Sequence, residues 1–205
     1  MAPNLNKLIS PVMLVALALC LASLPLQAHA EATGGALPTA TSDVRPPPRY
    51  GMSVEYVNTY DPGHDIGFVL VTGFAHYDYG TLWNQDRPRE LRFKVEAAAG
   101  GTVRPDIRTV ASVGMLALYY LDVLGARELR PYVEAGVGLI YTDFKVQGQG
   151  LRFNFNPQLG IGAETPREDG RNLFASLRLH HFSNAELNQE NRGVNSVVLQ
   201  IGRYF

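Results

Sequence analysis

From residue 50 onward, apolar side chains recur at every second position in successive runs, a spacing that puts them on one face of a β-strand. The clearest run is 151–164. Its odd positions are Leu151, Phe153, Phe155, Pro157, Leu159, Ile161 and Ala163; its even positions are Arg152, Asn154, Asn156, Gln158, Gly160, Gly162 and Glu164. In the same way Leu91, Phe93, Val95 and Ala97 oppose Arg92, Lys94 and Glu96, and Val133, Ala135, Val137, Leu139 and Tyr141 oppose Tyr132, Glu134, Gly136, Gly138 and Thr142. Clusters of Gly, Pro, Asp and Asn separate the runs. The pattern predicts eight strands, at about 50–60, 66–79, 90–102, 107–122, 129–143, 151–164, 171–183 and 194–205. Two of them, 66–79 and 107–122, are less regular. Leu116, Leu118 and Tyr120 would point inward if Met115, Ala117 and Tyr119 point outward, which predicts a bulge or slipped register there.

Eight such strands can close in two ways. A soluble barrel of the lipocalin kind keeps its apolar face inside, whereas a membrane barrel turns that face to lipid and fills its interior with polar groups. Each segment reaches the roughly 9–11 residues needed to cross a bilayer at a tilt. The polar faces mix both signs of charge (Arg92, Lys94, Glu96, Glu134, Arg152, Glu164, Arg178) with glycine, as a narrow lumen filled by ion pairs requires. Tyr50, Tyr56, Tyr77, Tyr79, Trp83, Tyr119, Tyr141 and Phe144 gather near strand ends like an interfacial girdle, and the chain stops in strand on Tyr204-Phe205. The expected fold is all-β, an eight-stranded antiparallel transmembrane β-barrel.

Ahead of it, residues 1–30 read as a signal peptide: Lys7, the apolar stretch Pro11 to Leu24, then the small-x-small site Ala28-His29-Ala30. Residues 31–49 form a Pro/Gly-rich flexible leader, and 50–205 the barrel. The one cysteine, Cys20, lies in the signal behind Leu19, not behind the small residue that precedes a lipidated cysteine. A mature chain without thiols excludes disulfides, a cysteine nucleophile and thiolate metal sites. A formal net charge of −1 gives no footing for nucleic acid, and a small barrel has too little polar space for a wide channel.

The candidate chemistry sits at the end of the seventh run. His181 and Ser183 are two residues apart and therefore share a face, the one that also carries Leu173, Ala175, Leu177 and Leu179. Counting back along the last strand, Arg203, Ile201, Leu199, Val197 and Asn195 share the outward parity. An antiparallel pairing across the 184–193 loop would bring Asn195 beside His181 and complete a Ser–His–Asn row toward lipid. His180 has the opposite parity and reads as an interior packing group, Ser196 as a lumen hydrogen-bonding group and Glu134 as half of an internal salt bridge. His64 and His76 lack partners at ligand spacing and read as turn and girdle residues. Gly100-Gly101 and Gly136-x-Gly138 have no following helix to cradle phosphate and read as relief of crowding in the lumen.

His181-Phe182-Ser183-Asn184-Ala185, with Leu187, Asn191, Gly193 and Ser196 after it and Pro131-Tyr132-Val133-Glu134-Ala135-Gly136-Val137-Gly138 before it, resembles the outer-membrane lipid A 3-O-deacylases of the PagL type. The resemblance is close over about the last 80 residues and rests on strand pattern alone before them. It implies a serine esterase in the bacterial outer membrane that removes the 3-linked acyl chain of lipid A. Its substrate is lipopolysaccharide, and it needs neither cofactor nor metal. Ser183 would be the nucleophile, His181 the general base and Asn184 a candidate oxyanion donor, or instead a cap for the turn, while Asn195 stands where the family has a glutamate. An asparagine carbonyl can accept the imidazole N–H, but it brings no negative charge to an imidazolium. Glu186 and Glu190 are the nearby carboxylates in sequence that could replace it. Two alternatives stay open: a non-catalytic structural or adhesive barrel, and a phospholipase on the same scaffold. Whether the barrel stands alone or as a homodimer is open as well.

Overall fold

The computed structural model describes residues 47–63, 65–80, 88–126 and 128–205. The expected signal peptide with Cys20, the leader up to residue 46, His64 and Trp83 lie outside the described residues.

The strands are β1 (Arg49–Asp61), β2 (Gly67–Asp78), β3 (Leu91–Arg104), β4 (Thr109–Tyr120), β5 (Arg130–Thr142), β6 (Phe153–Phe155), β7 (Gln158–Thr165), β8 (Leu173–Phe182) and β9 (Val194–Tyr204). Neighbours along the chain pair antiparallel, β9 pairs with β1, and β4 pairs with β5, so the sheet closes on itself and leaves no open edge. β6 and β7 are two pieces of one position in the wall, which makes an eight-stranded barrel. The run 151–164, expected as one strand, is interrupted at Asn156-Pro157 because proline has no N–H for the ladder. The wall stays continuous: Asn156 and Gly138 exchange backbone bonds of 2.8 and 3.0 Å, and the Pro157 carbonyl accepts from His181 N at 3.1 Å.

The period of two decides inside from outside. Val54, Val71, Val113, Met115, Leu139, Leu159, Ile161, Leu177, Leu179, Leu199 and Ile201 form an exposed apolar belt, while Lys94, Glu96, Glu134, Arg178 and Gln200 are buried within. A soluble barrel would show the reverse. In the lumen Arg178 binds Glu134 (Nε to Oε1, 2.7 Å) and Glu96 (Nη1 to Oε1, 3.0 Å), and Lys94 Nζ adds a 2.6 Å bond to Glu134 Oε2. The internal salt bridge expected for Glu134 is therefore present, shared between two cations. The guanidinium needs room, and Gly160 provides it: a Cβ there would lie 2.7 Å from Arg178 Cγ.

Three expectations are corrected. β4 runs in unbroken register against both β3 and β5, with no bulge. Leu118 and Tyr120 simply pack inward with Tyr132, because a lumen this narrow accepts apolar groups where no charge is needed. His76 is buried in the lumen rather than in a girdle, its Nδ1 3.2 Å from the Tyr204 hydroxyl. Tyr79 is also buried, and Phe144 packs against an apolar cluster that closes one end of the lumen, so neither belongs to an interfacial belt.

Candidate active site

That cluster (Phe182 and Val194 with Val57, Phe68, Leu70, Ile140 and others) explains how the site is held. With Phe182 and Val194 locked inside, alternation forces His181, Ser183 and Asn195 onto the outer wall. β8 ends at Phe182, yet Ser183 is still tied to the wall by two backbone bonds with Phe155, of 2.8 and 3.1 Å. His181 and Asn195 face each other directly across β8 and β9.

The side chains follow. His181 Nε2 lies 3.1 Å from Ser183 Oγ, and His181 Nδ1 lies 2.7 Å from Asn195 Oδ1. All three are half-buried and reachable from the apolar wall, where Leu179, Phe153 and Leu187 are exposed. The chain of Gly193 lies against the imidazole so closely that a Cβ would sit 2.5 Å from His181 Cε1. The site lies at the barrel end opposite the start of β1 and the end of β9.

Asn184 does not join the row. It is 1% exposed; its Nδ2 donates to Glu190 O at 2.8 Å and its backbone N–H to Asn191 Oδ1 at 2.9 Å. These two bonds fasten the loop, the turn-holding role open to an asparagine here, and leave Asn184 out of the row. Immediately after it, Ala185 and Glu186 adopt left-handed backbone angles (φ 52° and 65°), an arrangement that β-carbon sterics disfavour. The loop is then stitched to residues 146–150 by Gly150 N–H to Glu190 O at 2.7 Å and Arg192 N–H to Gly148 O at 2.8 Å.

Neither Glu186 nor Glu190 supplies the carboxylate beside Asn195. Asp61 does: Asn195 Nδ2 donates to Asp61 Oδ2 at 2.8 Å, and Arg192 Nη2 binds Asp61 Oδ1. Sequence reasoning missed this residue for a geometric reason. In a regular β1, Asp61 would share the inward face of Thr59, but β1 pairs Thr59 with Ser196 and Asp61 with Asn195, leaving Tyr60 as an extra residue. A bulge of this kind re-aims a side chain. The faint signal was a carboxylate closing the first strand beside Pro62. Among the described residues, no group of three or more His, Cys, Asp or Glu could hold a metal ion.

An eight-stranded barrel with an apolar outer belt and a charged lumen is a membrane β-barrel, and this one carries a serine–histidine–asparagine row on its outer wall. Residues 69–203 match the family described as Lipid A 3-O-deacylase (PagL), and the chain belongs to that family. It is a bacterial outer-membrane protein. Among solved structures it is similar to the outer membrane enzyme PagL, at 21% identity and a TM-score of 0.52 over 74% of this chain and 97% of that one. It is also similar to Neisserial surface protein A (NspA), at 16% identity and a TM-score of 0.55 over 77% of this chain and 94% of that one. At such identities these two likenesses establish the barrel fold alone. No curated protein sequence matches the chain.

Proposed function

We propose that the protein is a serine esterase that hydrolyses the 3-O-linked acyl chain of lipid A. The observation that carries this function is the row Ser183–His181–Asn195, in hydrogen-bond contact on the lipid-facing wall of a member of the deacylase family. His181 Nε2 takes the Ser183 proton as Oγ attacks the ester carbonyl, and the imidazolium Nδ1–H rests on the Asn195 carbonyl. The tetrahedral oxyanion needs N–H donors. With Asn184 occupied, the backbone N–H groups of Ala185 and Glu186 and the Nδ2 of Asn191 remain, since none of them bonds another described residue. Collapse expels the sugar 3-oxygen, which His181 protonates; water then attacks the acyl-enzyme and releases a 3-hydroxy fatty acid. An acyl chain lying along Leu177, Leu179 and Leu199 need not leave the membrane to meet Ser183.

Asn195 in place of the family's glutamate, and a fold shared with a surface protein, favour one second reading: a non-catalytic barrel. Mass spectrometry of lipid A from cells expressing wild type or Ser183→Ala separates the two. The esterase removes one 3-hydroxyacyl mass only when Ser183 is intact. Unchanged lipid A in both strains would support the non-catalytic barrel, and altered phospholipids alone would make the enzyme a phospholipase.

A further inference from the structure

We infer that Asp61 is the positioning residue of this site, fixing Asn195 as the acceptor for His181 and supplying the negative charge that asparagine lacks. This rests on the esterase reading above.

An ionised carboxylate only accepts, so the Asn195 atom 2.8 Å from Asp61 Oδ2 must be the amide nitrogen. The amide oxygen then faces His181 Nδ1 at 2.7 Å; being an acceptor only, it requires the ring proton on Nδ1. Nε2 is left with its lone pair toward Ser183 Oγ at 3.1 Å, the tautomer that can receive the serine proton. Among the described residues, Asp61 is the group that holds the Asn195 NH2, so without it the amide is free to turn over. Its NH2 would then meet Nδ1, the ring proton would move to Nε2, and Ser183 would lose its base.

The same contact carries charge. When the Ser183 proton reaches Nε2, the ring becomes cationic, and the Asp61 carboxylate lies two hydrogen bonds away through an amide polarised at both ends. Arg192 binds the other carboxylate oxygen and competes for that charge; the two side chains are 46% and 40% exposed, so water screens both fields alike, and Asp61 reaches the ring through the hydrogen-bonded Asn195 amide, which Arg192 does not touch. Two strand pairings align the row: His181 of β8 faces Asn195 of β9, and Asn195 faces Asp61 of β1 beyond the bulge. A family glutamate at 195 would hold its own charge against the imidazole. Here the charge is moved one strand further around the barrel.

The test uses the full chain in mixed micelles with lipopolysaccharide and has two readouts: kcat and KM for deacylation, and the rate at which a fluorophosphonate probe labels Ser183. Asp61→Ala is expected to lower kcat by about tenfold or more with KM nearly unchanged, and to slow labelling in parallel. Arg192→Gln, which removes the cation but leaves Asp61 against Asn195, does not reproduce that loss. Asn195→Glu sets a second carboxylate against Asp61 and loses activity, and adding Asp61→Ala to it raises activity again. Four results would overturn the inference: labelling in Asp61→Ala within twofold of wild type, Arg192→Gln matching Asp61→Ala, Asp61→Ala further weakening Asn195→Glu, or no labelling of Ser183 in wild type. The two proposals fail separately. Wild type that labels at Ser183 but leaves lipid A intact would end the lipid A reading, while the labelling rates would still decide the role of Asp61.

Discussion

At the scale of single residues, the candidate site depends on how closely the backbone approaches the imidazole. Gly193 is required there by contact, since its φ is unremarkable: any β-carbon would meet His181 Cε1 at 2.5 Å. Gly193→Ala should rotate the ring off its line to Ser183 and lower kcat by about 10- to 100-fold, since small misplacements cost that much. The barrel's denaturant midpoint should stay the same, because the ring lies outside the wall. A wild-type rate in Gly193→Ala would show that His181 is not held where catalysis needs it. Asn184 teaches the converse lesson. Its place next to Ser183 in sequence suggests chemistry, yet its burial and its two donated bonds make it the loop's own fastener.

At the scale of elements, the 183–193 loop and the 143–152 connection behave as one unit. Gly150 is the contact point: an added Cβ would lie 2.2 Å from Asn188 Oδ1 and 2.7 Å from Glu190 O. Gly150→Ala should push the two segments apart, carry Asn191 away from Ser183, and lower kcat by roughly tenfold with little effect on unfolding. Equal kcat in the variant and the wild type would mean that the stitching plays no part in the reaction. Beside this unit, the break between β6 and β7 places the Pro157 carbonyl on His181 N and Phe155 on Ser183, so the interrupted strand still fixes both reacting residues by backbone bonds.

Taken as a whole, the molecule inverts the soluble arrangement and is stabilised accordingly. Arg178 is fully buried between Glu96 and Glu134. Arg178→Leu leaves those carboxylates short of a partner and should cost about 3–5 kcal/mol, measured as a lower urea midpoint for the barrel refolded into bilayers. On the outer face, Leu199→Arg in the middle of β9 should cost about 2–4 kcal/mol in the same assay, because the charge would stand in hydrocarbon. A neutral result for Leu199→Arg would contradict a lipid-facing wall. Neither change should alter the local geometry of Ser183 and His181 in the fraction that folds.

What could be read from the sequence is what depends on a repeat of two. Alternation is a property of the extended backbone, so it disclosed the outer and inner faces, the shared face of His181 and Ser183, and, through one short connection, Asn195 opposite them. The repeat also held at Leu118, Tyr120 and His76, all on the inward parity of their strands; what failed there was the reading of side-chain chemistry as a side of the wall, since a narrow lumen takes apolar groups and a histidine as well as charges. Asp61 was decided by tertiary structure alone. It lies 134 residues from Asn195, becomes its neighbour only when β1 meets β9 at barrel closure, and points outward only because a bulge breaks the alternation. Closure and bulging are long-range pairing events, and the spacing of residues along one strand carries no record of them.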